Sequence, residues 1–315
     1  MRHRRLGGSG LSCAPLALGC HVFGWTVDAP TSCAILDAFV DRGFSLIDTA
    51  DTYSTWVPGH SGGESETIIG DWLKASCKRD RVLIATKLGG DMPNVGRGLS
   101  AAHIIRSADD SLRRLKTDRI DLYQAHFDDT AVPLEETLAA FARLIESGKV
   151  RAIGASNYSA PRLAEALAIA RAQGLPLYSC LQPHYNLVTR GFYEGGLRDL
   201  CLREDLGVIP FRPLEAGFLT GKYRSLADTI GATRGAVVAR ILDDRSLDIL
   251  RELDGAALRL NATPAQVAIA WLLAQPGVTA PIVSVTSLAQ LEEIFGAMEV
   301  ALDARTLMRL DFVSA

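Results

Sequence analysis

The sequence predicts an α/β fold: one (β/α)8 TIM-type barrel spanning residues 1–315, with an N-terminal β-hairpin and an additional C-terminal helix. Three observations carry the prediction. Short apolar runs of strand length alternate with stretches of helical spacing along the chain. Three of the early runs end on groups suited to proton chemistry. SLIDTADTYS places Asp48 and Tyr53 after its run, RVLIATK places Lys87, and RIDLYQAH places His126. Right-handed crossovers between parallel strands make a closed barrel the simplest assembly, and its strand ends converge on one face.

The first dozen residues, with Gly7–Gly8–Ser9–Gly10 between short apolar pieces, read as a hairpin capping the barrel floor. LSCAPLALG supplies the first barrel strand. A helix over 29–42 follows, with Ile35, Leu36, Phe39 and Val40 on one face. Strands at 44–47, 82–85 and 120–123 alternate with helices in SETIIGDWLKAS, AAHIIRSADDSLRRL and PLEETLAAFARLIESGK. The last of these opens on Pro133 with acids in its first turn and closes on Gly148–Lys149, as helix ends favour. Strands VRAIGAS, LYSCLQ, LGVIPF and TAPIVSV complete the eight. Helices over 161–172, 191–204 and 264–273 lie between them, and further helix follows Ser287. Residues 224–245 form a long, polar, weakly periodic segment, expected as a functional or mobile loop.

Bulk properties narrow the function. A net charge of −3 gives no basis for binding nucleic acid or an acidic membrane surface. The basic start MRHRRLGGSG is not followed by the apolar core of a secretory signal, and no run approaches the roughly 20 apolar residues of a membrane span. Six cysteines without a CxxC pair argue against a disulfide framework and a zinc cluster. The expectation is a cytoplasmic protein with buried, unreactive thiols.

Each polar strand end has an ordinary reading alone: Tyr53 as packing, Lys87 as surface, His126 as a structural histidine, Asp48 as a cap. Together, at the ends of three successive strands, they read as one site. A phenol with a reference pKa near 10 is a poor acid at neutral pH. A cationic Lys87 beside it stabilises the phenolate, and Asp48 keeps that lysine charged and oriented. His126 positions a carbonyl oxygen by hydrogen bonding or shares in proton delivery. Trp25, Trp56 and Phe127 fall in loops at the same face and offer an apolar substrate wall.

The motifs DTADTYS, GGESETIIG, IATK, DLYQAH, IGASNYS, LQPHYNLV, IPFRPLEAGFLTGKY and TSLAQLEE, in that order over about residues 43–297, resemble the aldo-keto reductase superfamily. The likeness extends to its aryl-alcohol dehydrogenase and potassium-channel β-subunit branch. It implies an oxidoreductase that reduces an aldehyde or ketone with NADPH, NADH being the lesser option, and a catalytic tetrad of Asp48, Tyr53, Lys87 and His126. By the same resemblance, Ser156, Asn157 and Gln182 hold the nicotinamide carboxamide, and Phe211 stacks on its ring. Pro213, Leu214, Gly217 and Lys222 match the loop around the pyrophosphate. Ser284, Thr286, Gln290 and Glu293 match the adenosine end. There the chain departs from the family: Ile294 replaces an adenine contact and no arginine stands at Gln290, so Arg234 in the long segment is expected to supply the charge. His184 stands where the family is often acidic.

Two other readings stay open: a nucleotide-sensing regulatory subunit of the same fold, and a Schiff-base aldolase using Lys87.

Overall fold

The computed structural model describes residues 2–93 and 95–315. It begins with the expected hairpin, in which β1 (Arg4–Arg5) pairs antiparallel with β2 (Ser12–Cys13) across a 3-10 turn at Gly7–Ser9. The strand read over 11–19 is therefore divided. Its first part belongs to the hairpin, and only β3 (Ala17–Gly19) enters the barrel. Pro15 stands between the two, where a residue without an N–H suits a break in pairing.

The other barrel strands are β4 (Leu46–Asp48), β5 (Leu83–Leu88), β6 (Ile120–Ala125), β7 (Val150–Ser156), β8 (Cys180–Gln182), β9 (Gly207–Val208) and β10 (Ile282–Val283). All neighbours are parallel, in the order β10-β3-β4-β5-β6-β7-β8-β9. The two ends of this row meet. Val208 bridges Val278, the Thr279 N–H donates to the Val208 carbonyl at 2.7 Å, and the Ile282 N–H donates to the Pro210 carbonyl at 2.8 Å. The ring is closed.

Helices α1 (Ala29–Asp41), α2 (Glu64–Ser76), α3 (Ala101–Leu115), α4 (Leu134–Glu146), α5 (Ala160–Gln173) and α6 (Gly196–Arg203) connect successive strands. The sequence marks their starts: Asp28 accepts from the Thr31 N–H at the head of α1, and Ser159 from the Arg162 N–H at the head of α5. The helix expected over 191–204 is shorter, because residues 191–195 are turns. The segment 224–245 is not wholly irregular; it holds a 3-10 turn at Leu226–Thr229 and the short α7 (Gly235–Val238). It ends in α8 (Asp244–Leu260), a helix of 17 residues that the strand-by-strand reading passed over. Asp243 and Ser246 form its capping box, and Ile249, Leu250, Leu253, Ala256 and Ala257 bury one face. Helices α9 (Pro264–Ala274), α10 (Leu288–Phe295) and α11 (Ala304–Ser314) follow, α11 packing on α8 as the additional C-terminal helix.

Period-two alternation along the strands builds the barrel interior in layers. Ala17, Leu46, Ala85, Leu122, Ala152, Cys180 and Ile209 form an apolar floor, sealed from below by Leu6, Leu11 and Cys13 of the hairpin. Two residues further along the same strands stand Gly19, Asp48, Lys87, Gln124, Gly154, Gln182 and Phe211. The interior changes from hydrocarbon to polar groups within one step of the pleat. Intervening residues such as Ile47, Ile84, Tyr123, Ile153 and Leu181 face outward into the buried layer beneath the helices.

Candidate active site

The polar layer is organised around an ion pair removed from water. Asp48 and Lys87 are each 1% exposed. The Lys87 ammonium donates to both oxygens of Asp48, at 2.8 and 3.0 Å, and to the Thr49 carbonyl at 2.7 Å. Its three donors are thus all used. Burial alone would drive the lysine toward neutrality, but Asp48 and then Tyr53 outweigh it and push its pKa up to about 12. Asp48 Oδ1 also accepts from the Gln182 amide at 2.9 Å and the Gln124 amide at 3.5 Å. Gln182, expected at the nicotinamide, therefore has its amide committed to the carboxylate. Gln124 was not anticipated; its signal is the alternation of Leu122 and Gln124 on β6 with His126 just beyond its end.

Small residues make room for these groups. A Cβ on Gly154 would come 3.1 Å from Gln124 Cγ and 3.1 Å from the Cys180 carbonyl oxygen, and one on Gly19 would come 2.6 Å from Ser284 Oγ. A side chain at Gly19 would displace Ser284, and one at Gly154 would crowd Gln124 and the Cys180 carbonyl.

Tyr53 sits over the ion pair, with Lys87 Nζ 4.8 Å from its ring centroid. The loop that carries it is tied at both sides. The Asp51 N–H donates to the Lys87 carbonyl at 3.1 Å, and Ser54, in the left-handed region at φ 76°, donates its hydroxyl to the Phe23 carbonyl at 3.1 Å. Burial pushes the phenol up to about 12; the Lys87 charge opposes that rise and the Asp48 charge adds to it. His126 lies edge-to-face with Tyr53, ring centroids 6.2 Å apart. Burial, helped by the Lys87 charge, pushes its imidazole down to about 3, and its Nδ1 is buried without a hydrogen-bond partner. At neutral pH the ring is uncharged.

The three expected wall residues gather around this pair. Trp25 and Trp56 meet edge-to-face at 5.5 Å, Trp56 approaches Tyr53 at 6.3 Å, and Phe127 stacks on His126 at 4.5 Å. Trp56 and Phe127 remain about half exposed, at 49% and 47%.

On the other side of the mouth, Ser156 donates to the Gln182 carbonyl at 2.9 Å, and the Asn157 amide donates to Ser156 Oγ at 3.1 Å and to the His126 carbonyl at 2.9 Å. Phe211 stands next along the rim, half-buried, with one face against the His184 ring at 5.1 Å. Pro213, Leu214 and Gly217 follow, and the Lys222 amine folds back over Gly217, where a Cβ would lie 3.0 Å from Nζ. The His184 Nε2–H donates to Glu215 at 2.6 Å, so the carboxylate stands on the facing loop.

The expected adenosine set divides into two groups. Thr286 donates its N–H and its hydroxyl to Gln290 Oε1, at 2.8 and 3.1 Å, at the start of α10, with the exposed Glu293 one turn further on. Ser284 and Arg234 instead meet at His21, a residue the sequence reading did not single out although it follows the first barrel strand. Arg234 donates to His21 Nε2 at 2.5 Å, and Ser284 Oγ lies 2.9 Å from Nδ1. A guanidinium can only donate, so Nε2 accepts, and the proton sits on Nδ1 and is donated to Ser284. Burial, with the charges of Arg234, Arg212 and Lys87, pushes His21 down to about 3, which keeps it neutral. Its ring lies 6.0 Å from that of Tyr53, and the Arg234 guanidinium lies 5.6 Å from the Trp25 centroid. The long segment is thereby anchored at the site.

Comparison with known proteins gives the class. The model of the aldo/keto reductase family matches residues 15–315, and the chain belongs to that family. It is 36% identical to the uncharacterized oxidoreductase YrpG of Bacillus subtilis (strain 168), over 99% of this chain and 95% of that one. It is 34% identical to L-glyceraldehyde 3-phosphate reductase of Escherichia coli (strain K12), over 93% and 86% of the two chains. It is also 33% identical to a probable voltage-gated potassium channel subunit beta of Arabidopsis thaliana, over 95% and 92%. Among the described residues no helix is long and apolar enough to cross a membrane.

Proposed function

We propose that the protein reduces an aldehyde or ketone to an alcohol with NADPH, Tyr53 donating the proton. The observation that carries this reading is the phenol lying over a buried Lys87–Asp48 pair, with a neutral imidazole across from it. The rim fits a dinucleotide. Phe211 carries the His184 ring stacked on one face, the exposed Asn157 is fixed by its bonds to Ser156 and the His126 carbonyl, and the Lys222 amine lies over a glycine that leaves it room. Bound there, the reduced nicotinamide supplies the hydride.

The chain's own residues handle the proton. Tyr53 keeps its proton in the resting site, because burial holds the phenol well above neutral pH. An alkoxide is a far stronger base than a phenolate, so transfer from Tyr53 Oη runs downhill as negative charge develops on the substrate oxygen. The phenolate left behind lies beside the Lys87 ammonium, which Asp48 holds in place. His126, uncharged, keeps one N–H, which is too weak an acid to deliver its proton but serves as a hydrogen-bond donor that orients the carbonyl oxygen. Trp25, Trp56 and Phe127 enclose an apolar substituent and exclude water.

The Schiff-base alternative requires a lysine with a free lone pair. Lys87 has all three donors engaged and its pKa raised, the opposite of what an imine-forming amine needs. The regulatory alternative draws support from the channel-subunit relative and concerns a partner, not the chemistry of the pocket. An absorbance assay at the reduced-nicotinamide band, with a panel of aldehydes and ketones and with both NADPH and NADH, tests the proposal. Oxidation of NADPH that depends on a carbonyl compound is expected. No oxidation across the panel, with tight dinucleotide binding retained, favours the regulatory role.

A further inference from the structure

A second polar cluster lies behind Phe211, and the proton chemistry does not use it. Glu215 is 1% exposed and sits in the loop that follows Phe211. Oε2 of its carboxylate accepts from His184 Nε2 at 2.6 Å, from the Asn186 amide at 2.5 Å and from the Thr189 hydroxyl at 3.3 Å. Arg212 Nη1 stands 4.0 Å from the other oxygen. Asn186 also donates to the Arg212 carbonyl at 2.9 Å, and its own oxygen accepts from the Val188 and Thr189 N–H groups at 2.8 Å each. Donors on the segment after β8 thus grip the loop after β9 through one carboxylate.

That grip acts on an unusual backbone. Arg212, Glu215 and Ala216 all lie in the left-handed region, at φ 53°, 42° and 55°, and none is glycine. Such conformations persist only where the surroundings over-determine them. Here the surroundings are the bonds to Glu215 and the pairing of Phe211 with the β8 extension, its N–H donating to the Pro183 carbonyl at 3.0 Å. The His184 ring lies nearly parallel to Phe211, at 17°, and stacks on one of its faces.

We propose that His184, Glu215 and Asn186 are positioning residues for the dinucleotide, holding the Phe211 ring and the 212–217 loop in their binding shape before the ligand arrives. The inference rests on the reading of this rim as the dinucleotide site. A loop ordered in advance loses less conformational freedom on binding, so its effect falls on affinity. Removing the carboxylate frees the loop to leave its left-handed path, and the ligand must then restore it.

The experiment is a fluorescence titration of Glu215→Gln, His184→Gln and the double variant with NADPH, alongside kcat, KM and thermal melting. His184, whose side chain is 20% exposed, tolerates replacement if Glu215→Gln does not fold. The expected result is a Kd for NADPH raised about tenfold or more in each single variant, a matching rise in its KM, and a kcat within about threefold of the parent. The double variant adds little to the worse single one, because both remove the same contact. Folded variants that bind NADPH as tightly as the parent overturn the inference and leave the reductase reading standing. A parent protein that binds no NADPH overturns both.

Discussion

Replacing Lys87 with methionine separates the two consequences of the buried ion pair. The substitution keeps length and volume but removes three hydrogen bonds, two of them to Asp48. The carboxylate is then buried with only the Gln182 and Gln124 amides as partners. Breaking a buried pair from one side costs about 3–5 kcal/mol. With an unfolding entropy of about 2.1 cal/mol/K per residue, that lowers the Tm of a chain of 315 residues by about 5–8 °C. Turnover falls by about 10²–10⁴, because Tyr53 loses the cation that makes its phenolate accessible. Asp48→Asn combined with Lys87→Met leaves neither charge buried and recovers much of the lost Tm while turnover stays low. Differential scanning fluorimetry and steady-state assays of the three proteins read both effects. A Lys87→Met protein that melts within a degree of the parent, or turns over within about threefold of it, refutes this account of the pair.

Two further outcomes follow from the rim. His21 and His126 stay neutral down to about pH 3 in the folded chain, whereas unfolded histidine protonates near pH 6.5. The unfolded state therefore binds more protons, and stability falls as pH drops from about 6.5 toward 3, by up to about 1.4 kcal/mol per pH unit for each ring. Denaturant melts of the parent and His126→Gln across that window are expected to show a shallower decline in the variant; a steeper one contradicts the burial of a neutral ring. Arg234→Gln replaces the charge that anchors the long segment at His21. Its Kd rises by about tenfold for NADPH and NADH alike, because a segment released from His21 unsettles the site for both, as titration of both dinucleotides will show. A loss confined to NADPH would place Arg234 at the phosphate that distinguishes the two and contradict its anchoring role.

Most of the barrel was legible because period two and period 3.6 are written plainly in its strands and helices. The strand-end tetrad was legible for the same reason, since Asp48, Lys87 and His126 each close an apolar run. Helix α8 escaped because its start lies in a polar stretch of aspartates and arginines, and its apolar face shows only from Ile249 onward. The split of the first strand at Pro15 was readable from the proline alone. His21, Gln124 and the His184–Glu215 pair were not, because each acquires its meaning from a partner distant in the chain: Arg234, Asp48 and a facing loop. Sequence spacing locates side chains along one strand. It carries little about which neighbour across the barrel they meet.

The central claim is that Tyr53 delivers the proton. It is tested most directly by a single turnover of Tyr53→Phe with bound NADPH and a carbonyl substrate that the parent reduces. The account predicts an unchanged Kd for NADPH and oxidation slowed by at least about 10². A burst of NADPH oxidation at the parent's rate would show that the proton comes from another group.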